Sequence, residues 1–227
     1  MLVRMWLVLI SVIAGAAGSS TLEDALALER SGDAARALDS MERLVRGDPA
    51  WALARIEAGR LQLKLGRDLD RAQMHLDAAR SLAPENARAH YLWGLLMEER
   101  GRRREAIRSF QIAVLYRPDY ADARFRLAGH YFSEGNWAEA EVHYRALSRL
   151  GSDWSQARLQ LAASLEREGK LAEAEDELAR LLAEQPQSAL FRRKLGEFYT
   201  RTQRPELAEK LLGEPKKKMR ELNKSIR

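Results

Sequence analysis

The 227-residue chain contains no cysteine. That excludes disulfides, thiolate metal ligands, thiol nucleophiles and a lipid anchor carried on a cysteine. Stability must come from packing, for which the about 210 residues beyond the N-terminal segment suffice. Histidine is scarce. His75, His90, His130 and His143 are the only four, and no two are spaced i,i+3 or i,i+4. A metal site would need more ligands, so the sequence predicts none. Gly94 and Gly101 sit in a helix-to-helix context with no preceding strand, which rules out a phosphate loop. Acidic pairs such as Glu98 and Glu99 read as a solvated helix face, and no nucleophile elbow or other catalytic signature is present. Catalytic residues and cofactors are therefore expected to be none, and nothing points to a small-molecule substrate.

Long apolar runs are also missing. The longest, Met5 to Ile13, is about half of the roughly 20 residues that span a bilayer. It follows Arg4 and precedes Ala14-Gly-Ala-Ala-Gly18, the charged start, apolar middle and small-residue end of a secretory leader. Residues 1–18 are read as a signal peptide, with cleavage after Ala16 or Gly18, and the protein as exported, to the periplasm in a bacterial-type cell. The alternative is a membrane anchor through an uncleaved leader.

What the chain has in abundance is repetition. Alanine recurs at Ala37, Ala72, Ala106, Ala140, Ala174 and Ala208, in steps of 35, 34, 34, 34 and 34. Glycine recurs at Gly32, Gly66, Gly101, Gly135 and Gly169, between helical runs. Proline closes the unit at Pro49, Pro84, Pro118 and Pro186, with Ser152 in the remaining slot. A fixed period of this length marks a stacked array of helical hairpins, each with an apolar face that two helices cannot bury alone. Small residues at slot 8 (Ala25, Gly59, Gly94, Ala128, Ala162, Gly196) predict a close approach within each hairpin. Larger residues at slot 24 (Met41, Leu76, Phe110, Tyr144, Leu178, Leu212) fill the seam beside it. Asp24 and Gln62 suggest a wetter first end. Trp93 and Trp137 are assigned to packing. Trp51, Tyr120 and Trp154 close their repeats and are expected to pack on the start of the next helix.

With Trp93, Gly94, Met97, Ala106, Phe110, Ala113 and Pro118 in seven of its slots, the chain resembles the tetratricopeptide repeat (TPR) family over about residues 18 to 212. The resemblance implies an all-α fold, an α-solenoid forming a right-handed superhelix of TPR hairpins. The repeats are set at about 18–51, 52–86, 87–120, 121–154, 155–188 and 189–212. In that family slots 2, 5, 6, 9, 12 and 13 line a concave groove that takes a protein or peptide partner. Carried over, they nominate Ile56, Arg60, Leu63, Tyr91, Leu95, Phe125, Arg126, Phe132, Leu159 and Arg193. The carboxylate clamp of chaperone-binding members is not expected: Arg126 fills one slot 6, but its slot 2 partner is Asp122, and no slot 6 holds asparagine.

Residues 213–227 form a basic tail carrying Lys216, Lys217, Lys218, Arg220, Lys224 and Arg227. The full chain counts 38 basic and 33 acidic residues; without Arg4 and the tail's six basic and one acidic residues, 31 and 32 remain. All net basicity beyond the leader thus sits at the C-terminus, where it suits an anionic polymer or membrane surface. Three functions are compatible with this sequence. The leading one is an exported scaffold holding a protein segment in an envelope assembly. The others are a polyanion-directed protein acting through the tail, and a non-catalytic accessory subunit of an enzyme.

Overall fold

The computed structural model describes residues 21–66, 68–150 and 154–212. The leader and the basic tail lie outside them. Among the described residues there are twelve α-helices and no strand. The described residues fall into two compact units, divided between Tyr120 and Ala121.

The first unit holds α1 (Leu22–Arg30), α2 (Ala34–Gly47), α3 (Ala52–Leu65), α4 (Leu69–Leu82), α5 (Ala87–Glu99) and α6 (Arg103–Tyr116). The second holds α7 (Ala121–Ser133), α8 (Trp137–Ser148), α9 (Ser155–Arg167), α10 (Leu171–Glu184), α11 (Ala189–Arg201) and α12 (Pro205–Leu212). Consecutive helices pair as hairpins. The link is a left-handed residue, the conformation glycine adopts without steric cost: φ runs from 60° to 92° at Gly32, Gly66, Gly101, Gly135 and Gly169. In the sixth hairpin Gln203 takes the same conformation, with φ 59°. Short polar side chains cap the entries, as Asp68 does by accepting from the Asp70 and Arg71 amides and Asn86 from those of Arg88 and Ala89.

The alanine series is buried throughout, from Ala37 to Ala208. The close approach beside it is filled by the slot 24 side chain. A Cβ on Gly94 would stand 2.4 Å from Phe110 Cε1, one on Gly59 2.6 Å from Leu76 Cγ, and one on Gly196 2.6 Å from Leu212 Cδ1. Slot 8 is therefore small because the slot 24 side chain lies across it. At the first end the expectation of a wetter core is only half met. Asp24 is exposed, where it completes a capping box with Thr21, but Gln62 is buried.

A further device recurs at the junctions. The slot 4 side chain donates to the carbonyl of the preceding repeat's proline: Arg55 Nε to Pro49 at 2.6 Å, His90 Nε2 to Pro84 at 2.7 Å and Arg192 Nη2 to Pro186 at 2.7 Å. A carbonyl only accepts, so His90 carries a proton on Nε2. Burial pushes its pKa down, against the opposing effect of that hydrogen bond. The fourth repeat has Ser152 instead of proline in its closing slot, and the slot 4 residue of the fifth, Arg158, donates to Glu177 and Glu184 on α10.

The closing aromatics also meet the slot 5 ring of their own repeat: Tyr120 lies tilted beside Tyr91 at 4.9 Å and Trp154 beside Phe125 at 6.2 Å, Trp154 packing as well on the cluster that holds Ala157 and Leu161 of the following helix. Trp93 and Trp137 are half-buried: Arg80 lies 4.3 Å over Trp93, and Trp137 meets Phe132 edge-on at 4.9 Å.

Candidate binding cleft

The groove residues nominated in the first unit are largely spent on the fold. Ile56 is 1% exposed and belongs to the core, so it cannot contact a ligand. Arg60 is not a free cation. Its guanidinium forks onto Glu29 of α1, and its Nε donates to Glu57 Oε2 at 2.8 Å. Lys64 adds to Glu29 at 2.7 Å, and Arg88 of α5 reaches Glu57 at 2.6 Å. These residues occupy slots 2, 6, 9, 12 and 13, so a chain of ion pairs covers the very positions the groove reading assigned to a partner. The two cations hold the Glu29 carboxyl down at about 2, the Arg60 hydrogen bond being the largest cause. Glu57, 3% exposed at its side chain, depends on Arg60 and Arg88 for its charge to be tolerated. Leu63, Tyr91 and Leu95 are half-buried, with Tyr91 wedged between Phe110 and Tyr120.

The second unit is more open. Arg126 and Arg193 are exposed, while Phe125, Phe132 and Leu159 are half-buried. Phe125 leans edge-on against Tyr144, whose hydroxyl burial pushes up to about 12. Between α9 and α11 runs a cleft of about 370 Å³. Leu159, Ala162, Ala163, Leu178 and Leu190 make its apolar floor, and Gln156, Gln160, Glu166, Lys194 and Arg201 its polar rim. Of the ten nominated residues Leu159 alone lines it.

Helical period explains how these residues meet. Gln156, Leu159, Gln160 and Ala163 are one stripe of α9, and Leu190, Lys194 and Arg201 the facing stripe of α11. Arg201 closes one end through a two-pronged pair with Glu166 at 2.7 and 2.9 Å. Lys194 is held at 3.1 Å by Glu197 one turn on. The carboxamides of Gln156 and Gln160 have no side-chain hydrogen-bond partner among the described residues. The site can therefore seat an apolar side chain on its floor while offering main-chain-like donors and acceptors at its edge. It provides no grouped acid, base and nucleophile. Among the described residues no cluster of three or more His, Asp or Glu side chains could hold a metal ion.

Sequence reasoning missed the rim because it weighed aromatics. The usable signal was an acid at slot 12 followed 35 residues later by a cation at slot 13. Glu166 with Arg201 and Glu29 with Lys64 both show it. A second ladder joins slot 16 to slot 21 of the preceding repeat: Lys170 to Glu141 at 2.6 Å and Arg204 to Glu175 at 2.8 Å.

A profile of the tetratricopeptide repeat matches residues 91–153 and 159–214, more than half of the sequence. The chain belongs to the tetratricopeptide repeat family. Among curated proteins it is similar to anaphase-promoting complex subunit 3 of Schizosaccharomyces pombe, 31% identical over 85 residues. That match covers 37% of this chain and only 13% of that protein. Solved structures with the same fold include YrrB, described as a TPR protein with an unusual peptide-binding site. Its TM-score is 0.69 at 22% identity, covering 77% of this chain and 90% of that one. A tetratricopeptide repeat protein of Parabacteroides merdae gives 0.65 at 20% identity, covering 84% and 75%. The pilus biogenesis factor PilW gives 0.63 at 21%, covering 82% and 86%. Identities this low speak for the fold alone. The fold class is all-α, built from TPR hairpins, and proteins of this kind are interaction scaffolds.

Proposed function

We propose that this protein is a non-catalytic TPR scaffold that holds a segment of a partner protein in the α9–α11 cleft. The observation that carries the reading is the pairing of an apolar floor at Leu159, Leu178 and Leu190 with unengaged carboxamides at Gln156 and Gln160. That combination suits a peptide, which brings apolar side chains and unpaired main-chain groups together. The ion-pair chain across α1, α3 and α5 argues for placing the site in the second unit. In keeping with the leader read at residues 1–18, we place the scaffold outside the cytoplasm, within an envelope assembly.

The test is photo-crosslinking from position 163 in cells, followed by identification of the captured partner. Leu159→Asp and Leu190→Asp should each abolish capture while the helical circular dichroism stays unchanged. A partner retained by both variants refutes the cleft. N-terminal sequencing of the mature protein tests export separately, a start at Met1 in a cytoplasmic fraction being the result against it.

A further inference from the structure

The second unit carries another depression, which shares no lining residue with the α9–α11 cleft. It lies between α8, α9 and α10, with a volume of about 420 Å³, and four arginines face it: Arg145, Arg149, Arg158 and Arg180. Two carboxylates, Glu177 and Glu184, also line it, and both are engaged by Arg158. Its Nε donates to Glu177 Oε2 at 3.2 Å and its Nη1 to the Glu184 carboxylate at 2.7 and 2.8 Å.

The other three guanidinia have no acidic counterpart inside the cleft. Arg145 is tied outward, to Glu141 at 2.6 Å and Glu173 at 2.8 Å. Arg180 pairs with Asp176 on the exposed side of α10 at 2.7 Å. Arg149, just past the end of α8, makes no ion pair among the described residues. Arg158, 8% exposed at its side chain, is the fixed floor of the cleft, held by Glu177 and Glu184. The lining itself thus holds four guanidinium groups against two carboxylates at a concave site, the acids that pair with Arg145 and Arg180 lying outside it.

We propose that this cleft binds a phosphate group, free or esterified on a partner, through Arg149, Arg180 and Arg145. A guanidinium carries five N–H donors, so Arg145, whose Nε and Nη2 serve its outward pairs, keeps Nη1 for a tetrahedral oxyanion, Arg180, paired through Nη2, keeps Nε and Nη1, and Arg149 keeps its whole fork. Arg158 acts as a positioning residue that keeps Glu177 and Glu184 from neutralising the others.

The full-length protein is titrated at low ionic strength with inorganic phosphate, with a phosphoserine peptide and with the same peptide unphosphorylated. Binding is followed by calorimetry against matched chloride. Phosphate or the phosphopeptide should bind, and Arg149→Gln or Arg180→Gln should weaken that binding by about tenfold or more. Arg104→Gln, a change of equal charge on α6 in the first unit, should leave it unaltered. Response to inorganic phosphate identifies the free ion as sufficient, and response to the phosphopeptide alone identifies the ester. No response to either beyond chloride overturns the proposal, as does an equal loss in the Arg104 variant. Because Leu159→Asp leaves this cleft intact, its phosphate response also separates failure here from failure of the peptide reading.

Discussion

Two glycines one repeat apart should respond in opposite directions to the same substitution. Gly94 and Gly129 both lie inside first helices of hairpins, α5 and α7. A Cβ on Gly94 would come within 2.4, 2.7 and 2.8 Å of three atoms of the Phe110 ring. Phe110 is fully buried and stands beside Tyr91 at 5.8 Å, so the ring has little room to yield. A Cβ on Gly129 meets only the Tyr144 hydroxyl, at 3.8 Å. Alanine in place of glycine in a helix interior gains about 0.8–1 kcal/mol. Overpacking a tight contact costs about 1–3 kcal/mol. Gly129→Ala should therefore stabilise by close to the full propensity gain, and Gly94→Ala should destabilise by about 0–2 kcal/mol after that gain is subtracted. Urea unfolding followed by circular dichroism, with hydrogen exchange to locate the loss, measures both. Introducing Phe110→Leu beside Gly94→Ala should recover part of the deficit, because the clash is with the ring. Shifts of the same sign, or a Gly94→Ala variant more stable than the parent, would refute the slot 8 to slot 24 argument.

Gln203→Gly should raise stability by up to about 1 kcal/mol, seen as a higher melting temperature, since a side chain now occupies the left-handed turn that glycine fills elsewhere. Burial beside Arg124 holds His143 down at about 4, from an ordinary 6.5. Between those values the unfolded chain binds the proton that the folded one refuses, so stability should fall as pH drops from 6.5 towards 4. His143→Gln should flatten that part of the profile. Arg60→Ala should destabilise the first unit by about 1–3 kcal/mol, because it leaves the buried Glu57 with Arg88 alone. It should also leave partner capture in the second unit unchanged, whereas a loss of capture with the fold intact would return Arg60 to the binding surface.

The hairpins were legible because their cause is local and periodic. A left-handed glycine, a capping Asp or Asn and a 3.6-residue apolar stripe act within a few residues, and thirty-four-residue spacing repeats them. The interactions that decide where a ligand can sit act between repeats instead. Nothing in the neighbourhood of Arg60 announces Glu29, which lies in the preceding repeat, and Tyr91 looks like a free ring until Tyr120 is folded onto it. Ile56 and Leu159 occupy the same slot, yet one is core and the other lines a cleft, because their neighbouring helices differ in how closely they approach. A slot assignment names the stripe a residue belongs to. Whether that stripe is covered depends on which side chains the next repeat sends across it.

Each glycine at slot 8 is matched to the bulk that its own second helix lays over it. Ala128, set opposite Phe110, would put a methyl where Gly94 leaves a gap. Crossovers that exchange whole 34-residue modules therefore keep every such match, while a breakpoint at the interhelix glycine separates the two halves of a fitted pair. Lengthening or shuffling this protein, by evolution or at the bench, has its natural seam at the closing proline and not at the turn.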